Sequence, residues 1–550
     1  MRYLYVLCFC LFCCPVLGQQ ANDIYDLEFR RYLGSDFPWN VISFIAGEGG
    51  ALGSVDTMEI INGKYPLVFR SVEMLPASRA YYRFHVRLIQ QLFIPGDYQQ
   101  LDFALNTKCL NIKQGWLKVV AFDKQEQCLY RDSVHILNTG EWNECVLKCQ
   151  GKDACFFGIE ISATGGDDWL QSSIFSIDRM RISGDGRNID WTKSMPVWAD
   201  NDLECLGSWP ASVLSLVKNK RLVALAETVH GDSLIAASER ELIRELVERN
   251  QCKLILLELP YDYVLLLNLY IQGNLRIQAN ELLQYAQVLQ FDSDFDMAFL
   301  NELRAYNGRT ENKVHIVGVD RMTWENRYLF RFWECVSGEK MNTECLAKCL
   351  VTGKIDEAIG EFEHDKSLTE GWERINIYWF SRALKQLKRQ EKYRDAVQGM
   401  VQEREKVMKD NIISVVDSLL PSDKNAVIIG HWLHFNKVNN VAPALEKSCG
   451  SYLSQRFGDD YWVVGILKGE GKVWGRIPGA SRKALHFLDL PQGGKFLENA
   501  CDGRGMPVFV GKCRSADRIG WLRCSGGCVA RVFYMPVALS QRMDCFLWVK

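Results

Sequence analysis

Four short apolar runs in the second half of the chain end on side chains that can move a proton. Leu222-Val-Ala-Leu225 leads to Glu227 and His230, and Leu254-Ile-Leu-Leu257 ends on Glu258. His315-Ile-Val-Gly-Val319 ends on Asp320, and Ala426-Val-Ile-Ile-Gly430 ends on His431, with His434 just beyond. A neutral imidazole, with an unperturbed pKa of about 6.5, can take a proton from water at neutral pH. A carboxylate on its other ring nitrogen would fix the tautomer and stabilise the imidazolium. Singly, each of these residues is more often a turn or capping group. Four such run ends, in a chain with only eight histidines, point to one site. Glu227, His230, Glu258, His431 and His434 are also ligand types for zinc or iron. No H-E-x-x-H element accompanies them, so the expectation is a site without a cofactor, a divalent metal being the lesser reading.

Such a site needs elements that bring the run ends together. From about residue 205 helical patterns alternate with short apolar strands, the pattern of an α/β domain with a mostly parallel sheet. If the four runs are parallel strands, their acids and bases gather at the carboxyl edge of one sheet, where open α/β sheets bind ligands. Ser238-Glu-Arg-Glu241 reads as a capping box ahead of an apolar face of Leu242, Ile243, Leu246 and Val247. Lys354 to about Leu420 reads as a long, charged, mostly helical region. Residues 25–190 differ: alternating runs such as Pro66–Arg70, Tyr82–Val86, Trp116–Phe122 and Phe156–Ile161 predict an all-β sandwich, with Ser173–Ile182 as the last strand of a jelly roll. Modules of that shape often bind carbohydrate; a docking or spacer role is the plainer reading. Trp39, Trp116, Trp142 and Trp169 are either a sugar platform or, more often for such residues, core. The unpatterned stretch 191–210 predicts the boundary, giving a sandwich over 19–195 and an α/β domain over 205–550.

At 550 residues two or more domains are expected, and Lys+Arg 65 against Asp+Glu 67 leaves a net charge of −2, with no basic excess to hold nucleic acid. Residues 1–18 combine Arg2 with the apolar stretch Leu4–Leu17 and small residues before Gln19, which reads as a secretory signal peptide. The protein is therefore expected to be exported, to the periplasm, the cell surface or the medium, and no later stretch is apolar enough for a spanning helix. Four of the 20 cysteines fall in residues 1–18. The remaining sixteen are expected to be mostly buried thiols with a few disulfides.

The residues also resemble a family. Ala226-Glu-Thr-Val-His-Gly231 resembles the G-E-x-x-H-G signature of the erythromycin esterase family. The similarity continues through Glu258, Asn268-Leu-Tyr270, Gly318-Val-Asp320, and Arg404 with Met408 and Asn411. Gly430-His-Trp-Leu-His434 is similar to its A-H-N-x-H element, and Ser451–Asp460, Gly465–Gly471 and Asp544–Trp548 to its later strands. The resemblance covers about 205–550 and implies hydrolysis of a carboxylic ester or lactone by water, with no serine or cysteine nucleophile. On that basis His230 is the general base, Glu227 or Glu258 orients it or holds the water, and His431 or His434 polarises the carbonyl. Asp320, Arg240, Arg404 and Trp432 are the expected substrate contacts. Three positions depart: Ala226 stands for the first glycine, Trp432 for the asparagine, and Glu239 for an arginine, with Arg240 one residue on. One residue turns a helix by about 100°, so Arg240 is offset from the position of the family's arginine. The expected partner is a small-molecule or glycan ester. The alternative reading is a glycan- or partner-binding protein on a catalytically weak esterase-like scaffold.

Overall fold

The computed structural model describes residues 25–30, 39–43, 52–55, 65–70, 84–166, 171–191, 198–289, 297–323, 326–341, 344–391, 400–438, 447–476, 483–490, 496–515, 518–525 and 532–550. The predicted signal peptide, Trp169 and parts of the 191–210 boundary lie outside them.

The N-terminal half is a sandwich of two antiparallel sheets. One runs in the order β1 (Asn40–Ser43), β4 (His85–Phe93), β9 (Phe156–Gly165), β6 (Ile112–Phe122), β7 (Cys128–His135). The other runs β2 (Leu52–Val55), β3 (Leu67–Arg70), β10 (Ile174–Gly184), β5 (Gln100–Leu110), β8 (Trp142–Gln150), with β11 (Arg187–Asn188) on β10. β5 shows why these residues make a strand. Leu101, Phe103, Leu105, Thr107 and Cys109 are buried while their neighbours are not, the two-residue period of a sheet with one face on the core. The jelly-roll expectation is met at this level. Trp39 is core, 1% exposed, its Nε1 donating to Tyr25 O at 3.0 Å. Trp116 and Trp142 are half-buried, Trp116 lying edge-on to His135.

The second half carries an eight-stranded sheet in the order β12 (Leu203–Gly207), β20 (Val508–Cys513), β23 (Cys545–Val549), β17 (Tyr461–Lys468), β13 (Leu222–Glu227), β16 (Asn425–His431), β14 (Cys252–Pro260), β15 (His315–Asp320). From β23 to β15 every neighbour is parallel; β12 and β20 run antiparallel at one edge. Every residue of β13 is buried, as a strand covered on both faces requires, which is why it reads as a continuous apolar run. The helix Tyr261–Ile271 is buried at all eleven positions. Two ribbons complete the domain: β18 (Gly471–Arg476) with β19 (Lys483–Leu488), and β21 (Ile519–Ser525) with β22 (Val532–Ala538).

One local expectation is corrected. The helix expected to start at a Ser238 capping box starts at Ser233. Asp232 is its N-cap, accepting from Leu234 N and Ile235 N, because it follows β13 directly through the Thr228–Gly231 turn. Ser238 lies inside the helix, its hydroxyl donating back to Leu234 O. The apolar face of Leu242, Ile243, Leu246 and Val247 is buried as expected.

The two halves share a seam. Phe496 and Trp521 of the second half pack into the sandwich core, and Gln91 Nε2 donates to Pro536 O at 2.9 Å. Glu126, at the tip of the β6–β7 turn, accepts from Ala538 N at 2.7 Å and Arg542 Nε at 3.0 Å, and both side chains of the ion pair are buried. Fourteen of the sixteen later cysteines are described and none is in a disulfide, so the expected disulfides are not found among the described residues. Also among them, no helix is long and apolar enough to cross a membrane.

Candidate active site

The four run ends meet where the parallel strands finish. Register places Glu227 of β13 beside His431 of β16. The chain then turns at Gly231, with φ +79°, where a Cβ would lie 2.1 Å from Trp474 O of β18; only glycine meets both conditions. That turn returns His230 over the sheet edge. Its Nδ1 lies 2.6 Å from Glu227 Oε1, and its ring lies against that of His431 with centroids 4.7 Å apart. A carboxylate on Nδ1 holds the ring N–H there and puts the basic lone pair on Nε2. Of the two acids offered as orienting group, Glu227 is the one on His230.

Glu258 does different work. Its Oε2 accepts the His431 backbone N–H at 2.7 Å, and its Oε1 accepts from Arg404 at 2.6 Å. Gly430 makes that approach feasible, since a Cβ there would stand 2.8 Å from Glu258 Oε2 and closer still to Phe435. Burial alone would raise the Glu258 carboxyl. His434, Arg404, His230 and the His431 N–H outweigh it and bring the group down to about 2. Arg404 also donates through Nε to both oxygens of Asp320 at 2.9 Å, so one guanidinium joins the ends of β14 and β15. Burial opposes the charge of Asp320, and Arg404 more than offsets it, holding the carboxyl below its usual value.

His434 closes this cluster. Its Nε2 is flanked by Arg404 Nη1 at 3.1 Å and Glu258 Oε1 at 3.4 Å, and its Nδ1 faces Glu405. Burial pulls the imidazole down, but Glu405 and Glu258 together raise it against both burial and Arg404. Glu405 was not singled out in the sequence. It is wholly buried and also accepts Cys449 N at 2.8 Å. A signal for it exists: at spacings of three and four it falls on the buried stripe of Met408, Ile412 and Val415, where a carboxylate needs a partner.

A cavity of about 100 Å³ opens beside Glu227, His230 and Glu258. Arg240 and Glu239 both line it, as does Ala236, so the helix Ser233–Glu248 turns that face to the cavity and the offset of one residue does not take Arg240 away from it. Trp432 is not among its lining residues. Fully buried, it packs beneath the Arg542 guanidinium 5.2 Å from its ring centre, with its indole N–H toward Cys524, and so has no surface for a substrate. Asn268 and Asn411 are structural, tying helices to Ile316 N and Val319 O of β15. Among the described residues no three His, Cys, Asp or Glu side chains form a group that could hold a metal ion.

No curated protein matches the chain. Among solved structures, a succinoglycan biosynthesis protein is similar over 64% of this chain and 95% of its own, with 15% identity and a TM-score of 0.51. A mutant erythromycin esterase in its open conformation is similar over 61% and 92%, with 17% identity and a TM-score of 0.41. A carbohydrate-binding module in complex with β-1,4-galactotriose is similar over 29% and 98%, with 16% identity and a TM-score of 0.22. Only the first reaches the level at which a shared fold follows. The family model described as erythromycin esterase matches residues 353–550, a span that includes the helix carrying Arg404, His431 at the end of β16 and His434 just beyond it.

Proposed function

We propose that the protein is an exported hydrolase that cleaves a carboxylic ester or lactone with water activated by His230. The observation that carries this reading is the His230–Glu227 pair, 2.6 Å apart and lining a cavity shared with Glu258. In the reaction, His230 Nε2 takes a proton from water and the hydroxide oxygen adds to the carbonyl carbon. Glu227 stabilises the resulting imidazolium. The oxyanion of the tetrahedral intermediate is met by positive charge from the His434 and Arg404 side of the site, beyond His431, a kind of contact that contributes several kcal/mol of barrier lowering in other enzymes. The intermediate collapses, its C–O bond breaks, and His230 returns the proton to the leaving alkoxide. The products are the acid and the alcohol. Glu258, already saturated by Arg404 and His431 N–H, holds these groups in place and takes no proton.

The test is an ester-hydrolysis screen of the chain without residues 1–18, covering macrolides, acylated sugars and small aryl esters, with His230→Ala beside it. Loss of one acid–base group costs about 10²–10⁴-fold. Turnover that survives His230→Ala at the wild-type rate overturns the assignment. Folded protein with no turnover on any ester favours the binding reading, and glycan arrays then test the sandwich.

A further inference from the structure

We infer that the cavity beside His230 is an acyl pocket, and that the substrate is an ester of a short, apolar carboxylic acid. This rests on the hydrolase reading above and adds the substrate class. Much of the cavity's wall is apolar: Ile255 and Leu257 of β14, Ile316 of β15, Leu267 of the buried helix Tyr261–Ile271, and Phe299 and Leu300 of the helix Met297–Gly308. Its polar residues fall into two groups: Glu227, His230 and Glu258 belong to the machinery already described, and Asp232, Glu239 and Arg240 come from the start and first turns of the helix Ser233–Glu248. A carbonyl within reach of His230 therefore has one substituent beside it in an apolar chamber.

Chemistry decides which substituent. The leaving oxygen gains negative charge as its bond to carbon breaks, and an apolar wall disfavours that charge. The acyl side begins with a carbon atom and carries no developing charge. It is the side that apolar walls accept.

Size decides the rest. An apolar cavity of about 150 Å³ holds one benzene ring. At about 100 Å³ this one holds an acyl chain of a few carbons. A macrolactone ring exceeds that volume, and a sugar would set most of its hydroxyls against the apolar walls. The alcohol half of the ester stays on the side of the half-buried Arg240.

The experiment uses 4-nitrophenyl acetate, butyrate, hexanoate and decanoate with the wild type, His230→Ala and Phe299→Ala. Phe299 is only partly buried, so its truncation enlarges the pocket without emptying the core. The expected kcat/KM peaks at acetate or butyrate. It falls at least tenfold by decanoate, since a methylene that a pocket cannot accept costs about 10–200-fold. Phe299→Ala moves the peak toward hexanoate. A flat profile, a peak at decanoate, or a Phe299→Ala profile that matches the wild type overturns the acyl pocket. If His230→Ala keeps the wild-type rates, the hydrolase reading fails by itself. The pocket is then read by saturation-transfer NMR with butyrate: binding that Phe299→Ala weakens supports it, and no binding overturns it.

Discussion

His230 and His434 each turn Nδ1 toward a glutamate, yet their surroundings prepare them for different work. His230 is held at Nδ1 by Glu227, and its side chain, 21% exposed, lines the cavity. His434 stands between Glu405, which is wholly buried, and Glu258, with Arg404 pressed against the same ring edge. A base must exchange protons with water and substrate, so access and an orienting carboxylate suit His230. A fixed positive charge must keep its proton, and two carboxylates raise His434 for that purpose. Residue type is the same at both positions; access to the cavity for His230, and the close packing of Glu405, Glu258 and Arg404 around His434, separate them. The lesson matches other sites in which two like groups are driven apart by their environments.

The largest effects should fall on the base. His230→Ala is expected to lower kcat by about 10²–10⁴-fold, whereas His434→Ala should cost less, because Arg404 remains to meet developing charge. Equal losses from the two variants would break the distinction between base and fixed charge. Glu405→Gln should act through pH. His434 is raised above 6.5 by Glu405 and Glu258. Its proton, and the activity that depends on it, is present below that pH and is lost as pH rises through the raised value. Any stability that His434 adds follows the same course, complete below 6.5 and lost on the alkaline side. Removing the Glu405 charge lowers the His434 value, so the alkaline limb of kcat/KM moves to lower pH while the His230-dependent acid limb stays. An alkaline limb that does not move would make His434 a structural residue.

Much of this was legible in the sequence. The strand ends Glu227, Glu258, Asp320 and His431 could be read because a doubly covered parallel strand is a continuous apolar run, and the residue that ends it stands out. Arg404 could be named only from the resemblance, since a charged residue on a charged helix reads as surface until its partners are known. Glu405 escaped because the surrounding charges masked the apolar stripe on which it lies. Trp432, expected as a substrate contact from its place between two site histidines, lies in the core. Its environment is set by Arg542, more than 100 residues later, and by Glu126 in the other domain, and no local pattern reports such contacts. The Ser238 capping box was a genuine sequence signal, overridden because β13 feeds the helix directly and Asp232 comes first.

That long-range support gives the smallest expected effect and a separate way to sharpen the comparison. Glu126 sits at φ +58° in the β6–β7 turn, its carboxylate gripping Arg542, whose guanidinium covers the Trp432 ring. Trp432 lies between His431 and His434, so the sandwich backs that half of the site. Breaking a buried ion pair by removing one partner destabilises by about 3–5 kcal/mol, whereas replacing both partners by apolar residues is often neutral. Glu126→Gln should therefore lower the unfolding midpoint and reduce kcat by roughly fivefold, a barrier change of about 1 kcal/mol, with KM unchanged. The double variant Glu126→Met with Arg542→Met should recover the midpoint and keep the kcat defect, because the fixed backing of Trp432 is still missing. In both variants the acid limb should match the wild type, since Glu227 still holds His230. A double variant that recovers stability and full kcat together would show that the sandwich supports the fold alone and leaves the histidines to their own domain.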